Sequence, residues 1–266
     1  MKNHFKMFLT VIFLFIFTAC TNGSTSVPIS SGLNEDSLSA GSTSETAVQA
    51  LGGLSEMNKK PEKEKLHFKE TSESTRGKLD CFADEDGTEY AFLNETGEFL
   101  SFVKIRSKIT LGSEITEREA QNIADATAIL FADISKYEYR VCQPRGGYPN
   151  GINFQIDSYD FSYYKTLSGY KATEGIIVWT LSDGSVIFVH LSNIGKFDGL
   201  AEPKIDEKEL DARFMNEVKK QHGDDAVVAQ IYSRILDYEN SQFIMQYDFE
   251  LNAQHGHGRQ EIMIPV

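Results

Sequence analysis

The chain has 266 residues, a net charge of −13 and three cysteines. Its charge is unevenly placed: residues 1–80 carry nine acidic and nine basic side chains, whereas residues 81–266 carry thirty and seventeen. A body that acidic disfavours nucleic acid and anionic lipid as partners, so attachment to a membrane has to come from an apolar anchor.

Lys2, His4 and Lys6 open the chain, residues 8–17 (FLTVIFLFIF) are almost wholly apolar, and Phe17-Thr18-Ala19-Cys20 closes the run. About ten to twelve apolar residues are too few to cross a bilayer as a permanent helix but suit the core of an export signal. The segment resembles a bacterial lipoprotein signal, in which small residues precede a cysteine. Phe17 departs from the aliphatic residue usual at its position. The resemblance implies a lipoprotein signal peptide over residues 1–20, lipid (palmitate) on Cys20, and a place on the extracytoplasmic face of the cell membrane. An ordinary signal peptide or an uncleaved anchor is the alternative reading.

Residues 21–55 are rich in Ser, Thr and Gly and show no apolar period, so they cannot bury enough surface to offset the entropy of ordering. Residues 56–78 turn to mixed charge (KKPEKEK), which predicts a frayed helix at most. Residues 21–80 are therefore expected to form a flexible tether, with a mean reach of roughly 40 Å.

From residue 81 the punctuation is of the β type. Asp86-Gly87, Thr96-Gly97 and Asp183-Gly184 sit between runs rich in aromatic and β-branched residues, as hairpin turns do. Hairpins are predicted for 90–93 with 99–105, 137–143 with 152–159, 176–181 with 185–191 and 231–238 with 243–251, and a last strand for 261–266. Two helices interrupt them. Thr116 with Glu119, and Asp206 with Glu209, have the spacing of a capping box, each preceded by an isoleucine. The first helix then carries Ala120, Ile123, Ala124, Thr127, Leu130, Phe131 and Ile134 on one stripe; the second carries Leu210, Phe214, Met215 and Val218 and ends near Gly223, a residue suited to a left-handed C-cap.

Hairpin, capped helix and hairpin thus occur twice, over 81–171 and 172–266, with the isoleucines before the caps (Ile115 and Ile205) 90 residues apart. The expected fold class is α+β, a tandem repeat of antiparallel hairpins with one capped helix packed across each sheet. The helix start ITEREAQNIA at 115–124 is similar to the PepSY-type repeat found in propeptides of secreted metallopeptidases and in exported proteins of spore-forming bacteria. The second copy, IDEKELDARF at 205–214, matches only at the cap. The resemblance implies a non-enzymatic role in inhibiting or regulating peptidases and supplies no catalytic residues.

Other candidates for chemistry are sparse. Cys81 and Cys142 remain once Cys20 is lipidated, either as a disulfide or as two partly buried free thiols. His255 and His257 are a potential metal pair, but their glycine-rich surroundings favour a hairpin tip, and His190 reads as a half-buried strand residue. Arg145 and Tyr148, in the loop RGGYPNG, are residue types that concentrate interface energy. The aromatic run at 154–170 changes polarity on both faces near 158–160, which predicts a bulge, bend or end there and either core packing or a patch for peptide or glycan. No metal, cofactor or catalytic residue is assigned. The expected function is binding or regulation by protein–protein contact, through a partner not identified by the sequence, with a carboxylate-dependent hydrolase of envelope polymers as the alternative.

Overall fold

The computed structural model describes residues 60–266 apart from 75, 105–114, 149–150, 152–153 and 253–257. The apolar run, Cys20 and most of the expected tether lie outside the described residues, as do His255 and His257. No helix among the described residues is long and apolar enough to cross a membrane.

The fold is α+β: the described residues form two α-helices and one mixed sheet of eleven strands. In chain order the elements are β1 (His67–Ser74), β2 (Gly77–Ala83), β3 (Glu89–Leu93), β4 (Phe99–Val103), α1 (Glu117–Ile129), β5 (Tyr139–Gly147), β6 (Gln155–Leu167), β7 (Tyr170–Leu181), β8 (Val186–Ser192), α2 (Glu207–His222), β9 (Val228–Glu239), β10 (Gln242–Leu251) and β11 (Arg259–Pro265). The sheet runs β1-β2-β3-β4-β8-β7-β9-β10-β11, with β5 and β6 branching from β7. On one side β7 pairs with β6 along its length; on the other it pairs with β8 from Gly175 onward and, in parallel, with β9 at Lys171 and Ala172.

Two cores lie on this sheet. Under α1, Ala120, Ile123, Ala124 and Ala128 meet Tyr159, Phe161 and Tyr163 of β6, Ile176 and Val178 of β7 and Val189 of β8, all buried. The small alanines let the helix approach the large rings. Under α2, Leu210, Phe214 and Val218 meet Met245, Tyr247 and Phe249 of β10 and Ile262 and Ile264 of β11. Phe214 stacks on Tyr247 at 4.1 Å and meets Phe249 edge-on at 5.1 Å.

Both helix starts follow from their caps. Thr116 and Glu119 make the reciprocal capping box, and the Asp206 carboxylate accepts from the N–H groups of Lys208 and Glu209. α1 stops at Ile129, so Phe131 and Ile134 reach the core from the turns that follow and not from the helix. Gly223 ends α2 at φ 104° and ψ 157°. It therefore takes the glycine-only extended region and not the left-handed helical cap expected of it.

The charged segment at 60–80 differs most from expectation. It forms a 3₁₀ turn at Lys63–Lys65 and then β1 and the start of β2, so the body begins about twenty residues earlier than the composition suggests. Pairing supplies what composition lacks. β1 lies antiparallel on β2, Phe68 meets Phe82 at 5.5 Å, and the Lys63 ammonium sits 5.0 Å from the Phe82 ring centre and 3.5 Å from the Asp80 carboxylate. Lysine over an aromatic face turns a run that looks solvated into a clasp.

Candidate partner-contact site

The β5–β6 hairpin carries the residues singled out from the sequence. Gly146 is what lets its strands close: a Cβ there would sit 1.9 Å from the Gln155 carbonyl oxygen. The pairing register slips at this point, from Arg145 opposite Ser158 to Gly146 opposite Ile156, leaving Asp157 as the extra residue. This bulge is the break in alternation seen near 158–160. β6 nevertheless runs on unbroken for 13 residues, and Tyr159, Asp160 and Phe161 are all buried in succession.

Arg145 lies within β5 and not at the loop tip. Its guanidinium Nη2 donates to Asp160 Oδ2 at 2.8 Å and sits 5.7 Å from the Trp179 ring centre. The cross-strand register aligns Gln143, Asp160, Trp179 and Phe188 on the sheet face turned away from α1. Trp179 and Phe188 pack with ring centres 4.7 Å apart. Asp160 is only 9% exposed, and burial raises its carboxyl above the ordinary range against the lowering pull of Arg145. The Trp179 N–H also favours the charged form, although no hydrogen bond joins the two side chains.

Tyr148 is 63% exposed and meets the 47%-exposed Phe154 edge-on at 5.3 Å just beyond the last paired residues. Large rings held together in water are costly to expose and favourable to cover. The structure thus brings Arg145 and Tyr148 onto one hairpin and adds Asp160, Phe154 and Trp179.

The remaining candidates play other parts. Cys81 on β2 and Cys142 on β5 are free, with β3, β4, β8, β7 and β6 between them in the sheet, so the disulfide alternative is not realised. Burial pushes the Cys142 thiol up to about 12, which makes it unreactive. His190 is buried on β8, where desolvation first and Arg76 second bring it down to about 4. Among the described residues no three His, Cys, Asp or Glu side chains come together as metal ligands.

A second polar cluster was not foreseen. Glu174, 2% exposed on β7, accepts from Tyr137 Oη at 2.7 Å, the Gly195 N–H at 3.1 Å, the Phe197 N–H at 3.4 Å and Lys165 Nζ at 3.4 Å. Beside it Thr173 and Lys196 both donate to Asp237 of β9, at 2.6 and 2.7 Å. Tyr137 belongs to the first core and Phe197 to the second, so this network ties the two together. A glutamate inside the run TEGIIVW was its sequence signal, since a lone charge in a buried strand needs partners. Comparison with known protein families, with curated proteins and with solved structures gives no match to this chain.

Proposed function

We propose that this chain is a lipid-anchored binding or regulatory protein of the extracytoplasmic membrane face, acting through protein–protein contact at the β5–β6 hairpin. The observation that carries the reading is the exposed Tyr148–Phe154 pair on a hairpin whose base is pinned by Arg145 and Asp160. Aromatic and arginine side chains on a rigid support are the composition of an interface hot spot. Cys20 carries the lipid in this reading, and residues 21–62 tether the body to it. The element order ββαββ recurs, β3–β6 around α1 and β7–β10 around α2. We read this as two PepSY-like copies interleaved in one sheet, and the likeness makes an exported peptidase or an envelope complex the partner class.

The test is a photo-crosslinking amino acid placed at Tyr148 in living cells, with a second placed at Phe68 on the far edge of the sheet. Position 148 is expected to capture a defined envelope protein that position 68 does not, and Cys20→Ser is expected to remove both capture and fatty-acid labelling. Equal capture from both positions, or none from 148, would refute the assignment.

A further inference from the structure

β4 pairs with β8 only from Val103–Phe188 to Ser101–His190. One residue further along β8 a side chain takes over: Arg76 Nη1, 115 positions away in the chain, donates to the Leu191 carbonyl at 3.0 Å. Arg76 is itself placed by its N–H on Ser74 Oγ at 3.1 Å, where Ser74 faces Gly77 at the turn end of the β1–β2 hairpin. The bond fastens the end of a polar edge hairpin to a strand in the middle of the sheet.

His190 lies beside that bond. Its neighbours Val189 and Leu191 point into the first core, so His190 is on the face turned away from α1, 8% exposed and stacked on Phe188 at 6.2 Å between ring centres. On this face β4 sets Ser101 and Val103 around it, β7 sets Ile177 and Trp179, and β3 sets Ala91. The titratable side chains in the same rows lie further off. Glu89, two strands away, is bonded to Lys69, and Asp160, two strands the other way, is bonded to Arg145. Cys81 and Glu70 are three and four strands away. The charge that acts on His190 is that of Arg76. An uncharged imidazole suits these surroundings, whereas an imidazolium would lie desolvated beside a guanidinium. We propose that His190 and Arg76 form an acid-opened latch: when His190 takes up a proton from solvent, Arg76 leaves Leu191 and frees the turn end of the β1–β2 hairpin from β8. The departure of Arg76 removes the like charge and admits water to the imidazolium. The latch is independent of the contact at the β5–β6 hairpin.

The test is amide hydrogen exchange of the full chain in detergent at pH 7 and pH 4.5, each rate divided by that of an unstructured peptide at the same pH. Opening returns His190 from about 4 to its ordinary 6.5, which favours the open latch up to about fiftyfold more at pH 4.5 than at pH 7. Protection over residues 77–80 of β2 is therefore expected to fall by about tenfold or more on acidification, and that over 243–251 of β10 to change by less than about twofold. His190→Gln, which cannot gain the charge, should hold its pH 7 protection of 77–80 at pH 4.5. Arg76→Ala should loosen 77–80 already at pH 7 and leave less than about twofold for acid to add. No loss over 77–80 in the wild type, equal losses over both segments, or a loss that persists in His190→Gln overturns the latch. Arg76→Ala as tight and as pH-dependent as the wild type overturns it too, and decides the question alone should His190→Gln not fold.

Discussion

Replacing Glu174 tests how the two cores are joined. In Glu174→Ala the Tyr137 hydroxyl and the N–H groups of Gly195 and Phe197 lose their acceptor, while Lys165 keeps Asp198 at 3.0 Å. A buried donor left without a partner costs about 1–3 kcal/mol. The Phe197 contact is long, at 3.4 Å, so its loss belongs at the low end of that range. Together the losses amount to about 3–5 kcal/mol, the range found when one partner of a buried ion pair is removed. Glu174→Gln retains a carbonyl for Tyr137 and Gly195 but presents an amide to two donors, and should cost roughly 1–3 kcal/mol. The assay is urea unfolding of the full chain at pH 7, followed by Trp179 fluorescence and by far-UV circular dichroism. Fluorescence reports on the sheet near the first core, whereas circular dichroism averages over both. The two transitions should coincide in the wild type and separate in Glu174→Ala as the second core loosens first. A loss under about 1 kcal/mol with coincident curves would show that the network is not what couples the cores.

Removing either helix cap, by Thr116→Ala or Asp206→Ala, is expected to cost about 1 kcal/mol each, read as a lowered urea midpoint with an unchanged slope. Because Cys142 is pushed up to about 12, its alkylation by iodoacetamide at pH 8 should run roughly a thousandfold slower than that of an ordinary thiol, and urea should restore the normal rate. His190 is held neutral in the fold, at about 4, while in the unfolded chain it returns to about 6.5. The unfolded state therefore binds more protons between these values, and stability falls as the pH drops from about 6.5 to about 4, by up to about 3 kcal/mol. His190→Gln should flatten that part of the urea-midpoint profile relative to the wild type.

The hairpins and caps were legible because their signals are local. Gly87, Gly97 and Gly184 take the positive φ that their turns require, and Thr116 and Asp206 cap where the spacing places them. What the sequence concealed depends on partners distant in the chain. β1 is too polar to announce itself, and its place is set by β2 and by Lys63 over Phe82. The Ser168-Gly169 turn, with φ of 51° and 80°, is a tight two-residue connection hidden inside an aromatic run. It lengthens β6 and β7 well beyond their predicted ends. Arg145 and Tyr148 were visible as residue types, but Asp160 and Trp179 join them only through register, which the sequence does not state.

The position of β7 explains why the β5–β6 hairpin is firmly rooted. Its run IIVW alternates, Ile176 and Val178 buried under α1 and Ile177 and Trp179 half-buried on the opposite face, and Thr173 and Glu174 stand where the two cores meet. One edge of β7 is divided between β8 and β9, so its other edge is left to β6 alone. The β5–β6 hairpin is therefore anchored along nearly the whole of β7, by register pairs from Leu167–Tyr170 to Ser158–Leu181. Beyond Ser158 the hairpin runs past the end of β7, held by the Ser182 N–H on the Asp157 carbonyl at 2.9 Å. Tyr148 and Phe154 thus lie beyond the ladder, while β6 at their root is paired along both edges. In the proposed contact the paired backbone of β5 and β6 would need little further ordering, since the conformational entropy that a loose loop would lose on binding is already lost there on folding.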